Sequence, residues 1–419
     1  MPHWGGERLR NFRYLWLGQI ISLLGDWFNL IASATLVAQL TDSGLAIGTL
    51  FVIRALAPFL IGPIAGVVAD RYNRKQILIW TDIGRALAVL GFLFVRDPSH
   101  VWLLYALTAV QLGISGFFYP TRSAILPDIT SPRELGTANA LTMTTWSVML
   151  TVGAAIGGVV SGTWGIYPAF TIDALTFLLS ALVLMQIRLD KAPALANSEK
   201  TVRAALSQYV DGLRYLANHI DIFVITLHKS VAVMLFGRTF TIVLIAIAEG
   251  VFVMGEGGGL GLGLMLTMTG FSTGIGPIIV RHFTGDRNRP LRWAIFFGYL
   301  ITGLGLAIVA PLFSFGGVLF GILIRGFGGG VIWMFSTQLL LQALPDQMRG
   351  RVFATEFATF SLMGAVGATL VGRGLDSSLG ISGVTWWIAG VTTVCGLLWG
   401  LWLVVGKSAE PASEEKAIL

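Results

Sequence analysis

Charged residues and cysteine are scarce in this sequence. Only 12% of its 419 residues are charged, about half of the usual share for a soluble protein, whereas 55% are hydrophobic and the mean hydropathy is +0.77. A soluble domain could not bury this much apolar surface, so the composition indicates a polytopic membrane protein. The single cysteine, Cys395, lies in an apolar run, which excludes disulfides and a cysteine-based metal site.

Several motifs that carry chemistry are also missing. The sequence has no phosphate-binding loop of the Gly-x-x-x-x-Gly-Lys-Ser type, no His/Glu cluster at metal-ligand spacing, and no plausible pairing of a nucleophile with a base. We therefore expect no enzyme activity, no cofactor and no metal. The net charge of +6 does not indicate a nucleic-acid partner, because the basic residues lie at the ends of apolar runs rather than in one patch.

Long apolar runs fill most of the chain. A bilayer is crossed by about 20 apolar residues in a helix, and the sequence predicts twelve such spans. They cover residues 13–39, 45–69, 76–95, 101–119, 135–162, 167–187, 222–248, 259–283, 291–313, 317–339, 352–372 and 384–405.

The distribution of Lys and Arg predicts the topology. Most of them lie on the amino terminus, the even-to-odd connections and the tail, and only Arg96 and Arg373 lie on the opposite side. Because basic residues collect on the cytoplasmic side, we expect both termini in the cytoplasm, a plasma-membrane location and no cleaved signal peptide. The predicted domains are a six-helix bundle at 1–188, a linker at 189–221 with an amphipathic helix at 201–218, a second six-helix bundle at 222–405, and a polar tail at 406–419.

A weak internal repeat relates the two halves. The segment at 70–74, Asp-Arg-Tyr-Asn-Arg, recurs as Asp-Arg-Asn-Arg at 286–289, and Leu-Pro-Asp at 126–128 recurs at 344–346 with nearly the same displacement. The fold predicted is therefore an all-α membrane protein of twelve transmembrane helices in two pseudo-symmetric six-helix bundles. Secondary transporters built in this way hold substrate near the midplane, between the halves.

Polar side chains within the spans are the candidate functional residues, because an ionisable group at bilayer depth is costly. Ser22, Asp26 and Asn29 share one helical face in the first span, together with Ser33. Such a stripe faces protein or water rather than lipid. Asp26 is interpreted as a carboxylate that exchanges protons or contacts a cationic substrate; the alternative is an ion-paired packing residue.

Four more residues are assigned to proton coupling or to the substrate cavity. They are Arg238, Arg325, Asp173 and Glu356. The repeat places Arg238 near the depth of Asp26, which suggests a contact between the halves. For Arg325 the alternative is a structural arginine at a glycine-rich packing site; Glu356 is expected beside Arg349 and Arg351. Lys229 is expected to extend to the cytoplasmic face.

One connection carries a specific signature. Residues 66–75 read Gly-x-x-x-Asp-Arg-x-x-Arg-Lys between two apolar spans, which resembles the loop 2–3 signature of the major facilitator superfamily. The segments at 22–27, 118–120, 126–128 and 349–352 are similar to the branch of that superfamily containing the enterobactin exporter, which is itself similar to the multidrug–proton antiporters. The resemblance covers nearly the whole chain.

The resemblance implies the major facilitator fold and a monomeric secondary transporter that works by alternating access. It implies export of an amphiphilic small molecule (a drug, siderophore or secondary metabolite) in exchange for protons, with membrane lipid around it. It also implies a conformational latch at the loop, to which we assign Gly66, Asp70, Arg71, Arg74, Lys75, and Asp82 and Arg85 on the next span. We expect Asp82 and Arg85, one turn apart, to pair with each other.

Two departures weaken the transfer of the antiporters' coupling scheme. Ala154 stands where the fifth-span motif has proline, and Ala109 where the fourth-span motif has arginine. Two further functions stay open: a lipid or lysolipid flippase on the same fold, and a non-transporting membrane sensor or scaffold.

Overall fold

The computed structural model describes residues 6–131, 134–188, 202–237 and 239–405, and every regular element in them is helical. There are fourteen α-helices: α1 (Gly6–Thr41), α2 (Gly44–Arg71), α3 (Arg74–Gly91), α4 (Val101–Ile129), α5 (Leu135–Thr163), α6 (Ile166–Met185), α7 (Val202–Asn218), α8 (Ile220–Phe236), α9 (Phe240–Gly250), α10 (Gly259–Thr284), α11 (Asn288–Val309), α12 (Phe315–Ala343), α13 (Asp346–Leu375) and α14 (Gly380–Val405). The predicted tail at 406–419 and the first part of the predicted linker, residues 189–201, lie outside the described residues.

The helices account for the predicted spans. In the described part of the chain, eleven spans are long and apolar enough to cross a membrane, one of them made of α8 and α9 together, and α5 contributes a shorter apolar stretch at Val148–Thr163. Helices suit this environment because every backbone polar group is satisfied within the segment. The all-α, multi-span fold class is confirmed.

The seventh span differs from its prediction as one uninterrupted helix. It is divided into α8 and α9 by a break that begins at Gly237. The break leaves carbonyl groups at the end of α8 without their usual helical partners. Other groups must therefore satisfy them.

Side-chain caps set several helix starts. Ser43 accepts a hydrogen bond from the Ala46 amide at the start of α2, and Asn73 accepts one from the Gln76 amide at the start of α3. Asn73 belongs to the charged loop between these helices. Its cap explains how the chain turns from α2 into α3 within two residues.

The two halves of the chain meet along two seams. α2 packs against α13, and α5 packs against α10. A Cβ added to Gly48 would lie 2.6 Å from the carbonyl oxygen of Ala368, and one added to Gly162 would lie 2.7 Å from the amide nitrogen of Leu260. Both contacts lie at the end of the bundle opposite the start of α1 and the end of α14. We call this end the far end. Small residues permit this close backbone approach.

At the opposite end, called the near end, α2 has room around it. A Cβ added to Gly62 or to Gly66 would meet no atom within 4 Å. The seam between α2 and α13 is therefore tight at the far end. At the near end these two glycines lack such backbone contacts, and α7 packs against both helices.

Helix α7 occupies the segment for which the sequence predicts an amphipathic helix. It packs on the first turns of α13, where a Cβ on Gly212 would lie 2.6 Å from the carbonyl oxygen of Arg351. Leu216 is buried on the inner face, whereas Val210 and Leu213 on the outer face are exposed.

Candidate functional site

A buried charge cluster lies in the first half, where α1, α2, α3 and α6 converge. Its centre is Arg85, which forms an ion pair with Asp82, one turn earlier on α3. Arg85 also donates a hydrogen bond of 3.1 Å to Ser22 Oγ and lies 3.8 Å from Asp26 Oδ2. The stripe on α1 thus faces protein, and α3 supplies the counter-charge.

Two aromatic rings enclose the Arg85 guanidinium. Its central carbon lies 4.6 Å from the centroid of Phe118 on α4 and 4.2 Å from that of Phe177 on α6. Cation–π contacts of this kind gain strength where water is excluded. They fix the guanidinium between three helices.

Asn29, Arg54 and Asp173 extend the cluster. Arg54 Nη1 donates a 3.4 Å hydrogen bond to Asn29 Oδ1. Asp173 is fully buried, with Oδ1 against Gly25 and with Asn29 as its neighbouring amide. The described cluster therefore holds three carboxylates and two guanidinium groups.

Asp26 is the partly exposed acidic member of the cluster. Its side chain is 23% exposed, whereas Asp82 and Asp173 are 0% exposed. The loose 3.8 Å separation from Arg85 leaves Asp26 free to take another partner. The structure thus brings Ser22, Asp26, Asn29, Asp82, Arg85 and Asp173 together.

A second buried ion pair lies in the other half. Lys229 Nζ on α8 is 2.9 Å from Glu356 Oε1 on α13, and it donates a 2.8 Å hydrogen bond to Thr337 Oγ1 on α12. Lys229 also lies 4.3 Å from the ring centroid of Trp333. Two expectations change here. Lys229 is 2% exposed rather than extended to the surface, and Glu356 pairs with Lys229, whereas Arg349 and Arg351 were the expected neighbours.

His228, which the sequence predicts to extend to the cytoplasmic face together with Lys229, lies instead among side chains of the second half. Its Nδ1 is 3.0 Å from the Tyr299 hydroxyl, and its Nε2 is 3.0 Å from Ser336 Oγ. The ring packs on Trp399 with centroids 4.3 Å apart. The only sequence signal was a His-Lys pair within an apolar span, which does not reveal these partners.

Arg325 satisfies the break in the seventh span. Its guanidinium donates a hydrogen bond to the carbonyl oxygen of Phe236, the last residue of α8, and lies 4.4 Å from the Phe240 ring at the start of α9. Arg325 is therefore placed away from the cluster of the first half. Arg238 lies outside the described residues, so its contact with Asp26 stays a prediction.

The loop between α2 and α3 is held against α4 by Arg74, the first residue of α3. Its Nη1 lies 2.7 Å from Asp128 Oδ2 and donates a 3.0 Å hydrogen bond to the Ala124 carbonyl on α4. Arg71 is exposed, Lys75 is half-buried, Gly66 faces open space, and the side chain of Asp70 lies outside the described residues.

The repeated loop in the second half is held differently. Gln338 Nε2 on α12 donates a 2.7 Å hydrogen bond to Asp286 Oδ1, and Arg281 pairs with the same carboxylate at 2.9 Å. The Gln338 hydrogen bond first, and then those of Arg281, hold the pKa of Asp286 below its ordinary value. Each half thus fastens its loop to its fourth membrane span, which is α4 in the first half and α12 in the second. Among the described residues, no group of His, Cys, Asp and Glu could hold a metal ion.

Comparisons of the sequence with known proteins all indicate one family. The sequence model of the Major Facilitator Superfamily matches residues 15–368. The chain is 29% identical to an uncharacterised MFS-type transporter, YfiS of Bacillus subtilis, over 93% of this chain and 91% of that protein. It is 26% identical to the putative bacilysin exporter BacE of the same organism, over 92% of each chain. It is 22% identical to macrolide efflux protein A of Streptococcus pyogenes, over 43% of this chain and 45% of that one.

Solved structures share the fold. A bacterial homologue of the human lysosomal transporter Spinster, in an inward-facing and unoccupied conformation, superposes with a TM-score of 0.74 at 14% identity, over 96% of this chain and 97% of that one. At this identity the likeness concerns the fold alone.

Proposed function

Since this chain belongs to the major facilitator superfamily, a multi-pass membrane transporter and not an enzyme, we propose that it exports amphiphilic small molecules in exchange for protons. The site of exchange is the charge cluster of the first half. Both termini lie in the cytoplasm and the protein resides in the plasma membrane, as the distribution of basic residues supports.

The observation that carries this proposal is the charge balance of the cluster. Among the described residues, which exclude Arg238, the ionised Asp26, Asp82 and Asp173 outnumber Arg54 and Arg85 by one negative charge. A net charge is costly in an apolar interior, and binding one proton removes it. Asp82 is occupied by Arg85, so the proton is held by Asp26 or Asp173.

Asp26 gives the proton a route to water. It is the partly exposed carboxylate, and Asp173 lies against Gly25, the residue before it on α1. A cationic group of the substrate at Asp26 would supply the same positive charge as the proton. Competition between the two for one site is the simplest basis for antiport.

The packing of the two halves supports alternating access. The far end is sealed along both seams, and the near end is loose around Gly62 and Gly66. With cytoplasmic termini, this is a state closed on the outer side, the side to which an exporter releases its substrate. The relatives named as a bacilysin exporter and a macrolide efflux protein support export of secondary metabolites or drugs.

The test uses purified protein in liposomes that contain a pH-sensitive dye. A panel of lipophilic cations, macrolides and peptide-like metabolites is added to wild type, Asp26→Asn, Asp173→Asn and the control Asp97→Asn, an exposed loop carboxylate. We expect substrate-dependent proton flux in wild type and in the control, and its loss in Asp26→Asn.

Three outcomes would change the proposal. Loss in Asp173→Asn alone would move the proton to that residue. Flux that survives in both variants would contradict coupling through this cluster. Movement of a fluorescent lipid without any proton flux would replace export by lipid flipping.

A further inference from the structure

A carboxylate of the second half caps a helix of the first half at the far end. Asp376 follows α13, and its Oδ1 accepts a 2.6 Å hydrogen bond from the Gly44 amide. Its Oδ2 accepts hydrogen bonds of 2.9 Å from the Leu45 amide and from Ser43 Oγ. All three donors belong to the start of α2.

These contacts complete the amino terminus of α2. The first amides of a helix have no partner within it, and a negative charge is stabilised there by the helix dipole. Ser43 satisfies the Ala46 amide, and Asp376 satisfies the two amides before it. One half of the chain therefore supplies part of the cap for a membrane helix of the other half.

The surrounding glycines make the contact possible. A Cβ on Gly44 would lie 2.8 Å from the carbonyl oxygen of Gly372, one turn before Asp376. A side chain at Gly44 would hold α2 and α13 apart, beyond hydrogen-bond reach of the carboxylate. Close packing of α2 against α13 thus brings the Asp376 carboxylate within hydrogen-bond distance of the start of α2.

We propose that Asp376 is a positioning residue of the transport cycle, a latch that closes the far end by binding the amino terminus of α2. This inference rests on the proposed function only in that alternating access requires the far end to open. When the halves separate there, the carboxylate and the two amides pass to water, so the contact stabilises the closed form and not the open one. Its strength sets how often the far end opens.

The latch is tested by measuring distances across the far end. Spin labels are attached at Thr163→Cys and Phe313→Cys, exposed positions on opposite halves, in a Cys395→Ala background. Double electron–electron resonance then gives the short- and long-distance populations in lipid nanodiscs. The variants are Asp376→Ala, which removes all three acceptor contacts, and Asp376→Asn, which keeps one acceptor oxygen.

Asp97→Asn is the matched control, because it removes the same charge at the same end, and the side chain of Asp97 pairs with His100 in its own half, 3.8 Å away. We expect the long-distance fraction to rise by roughly threefold or more in Asp376→Ala, since hydrogen bonds to a charged group are stronger than neutral ones. Asp376→Asn should fall between Asp376→Ala and wild type, and Asp97→Asn should match wild type.

Unchanged distance distributions in both Asp376 variants would overturn the latch, as would an equal shift in Asp97→Asn. The measurement needs no substrate and no proton gradient. A failed flux experiment together with a shifted distance distribution would therefore reject proton antiport and retain the latch.

Discussion

Lys229 illustrates what one buried charge requires inside an apolar bundle. It is enclosed by Glu356, Thr337 and Trp333, which lie on two other helices. The two charged side chains are 3% and 4% exposed. Removing either partner leaves an uncompensated charge in a place from which water is excluded.

Neutralising this pair one residue at a time should therefore destabilise the protein more than neutralising both. We expect Lys229→Met and Glu356→Gln each to cost about 3–5 kcal/mol, and the double variant to recover most of that loss. The midpoint temperature of thermal unfolding in detergent is measured for the two single variants and the double variant. The control is Arg351→Met, which breaks a 3.8 Å contact with Asp211 between half-exposed side chains and should change the midpoint little. A double variant as unstable as the sum of the single ones would contradict this account.

At the scale of helices, the α5–α10 seam depends on the absence of side chains. A Cβ on Gly158 would overlap the backbone of Gly263 and lie 3.1 Å from the carbonyl oxygen of Gly259. Neither backbone can move aside without shifting a whole helix. A single methyl group there would therefore change how closely the two halves pack against each other.

We expect Gly158→Ala to weaken far-end closure by about 1–3 kcal/mol, the usual cost of overpacking, which is roughly a 5- to 150-fold change in the closed-to-open ratio. The spin-label pair at Thr163→Cys and Phe313→Cys reports that ratio. Gly390→Ala on α14 is the matched control, because a Cβ there meets no atom within 4 Å. It should leave the distances unchanged, and a similar shift in both variants would show that the seam is not the cause.

The helices were predictable because apolar runs of bilayer length leave little choice of structure. Their ends were less so: α4 continues through Pro120 to Ile129 instead of ending near residue 119. The break at Gly237 has only a glycine as its local sign. Its stabilisation by Arg325 depends on a helix far along the chain.

Part of the candidate site was also predictable, because helical spacing alone places some of its residues on one face. Helical periodicity placed Ser22, Asp26 and Asn29 on one face, and one-turn spacing related Asp82 to Arg85. The approach of Asp173 to Gly25, and of Lys229 to Glu356, depends on how helices distant in sequence pack, which a single sequence does not encode locally.

At the scale of the whole molecule, the two halves are in close backbone contact along both seams at the far end. Each half fastens its own near-end loop: Arg74 binds Asp128 in the first half, and Gln338 and Arg281 bind Asp286 in the second. These contacts stay within one half. We therefore expect them to persist while the seams open and close in the proposed transport cycle.

The pH dependence of transport should therefore come from the membrane cluster and not from the loop carboxylate. The pKa of Asp286 is lowered, so its stabilising contacts are complete above its ordinary value of about 3.9 and are lost only as the pH falls through the lower value of the folded protein. Asp286 stays ionised throughout the range in which transport is measured. We expect Asp286→Asn to keep the shape of the pH–flux profile of wild type, even if the maximal flux falls. Asp26→Asn, measured in the same liposomes, should flatten that profile. A shifted midpoint in Asp286→Asn would instead assign the titration to the near-end loop and contradict the division of roles between cluster and loop.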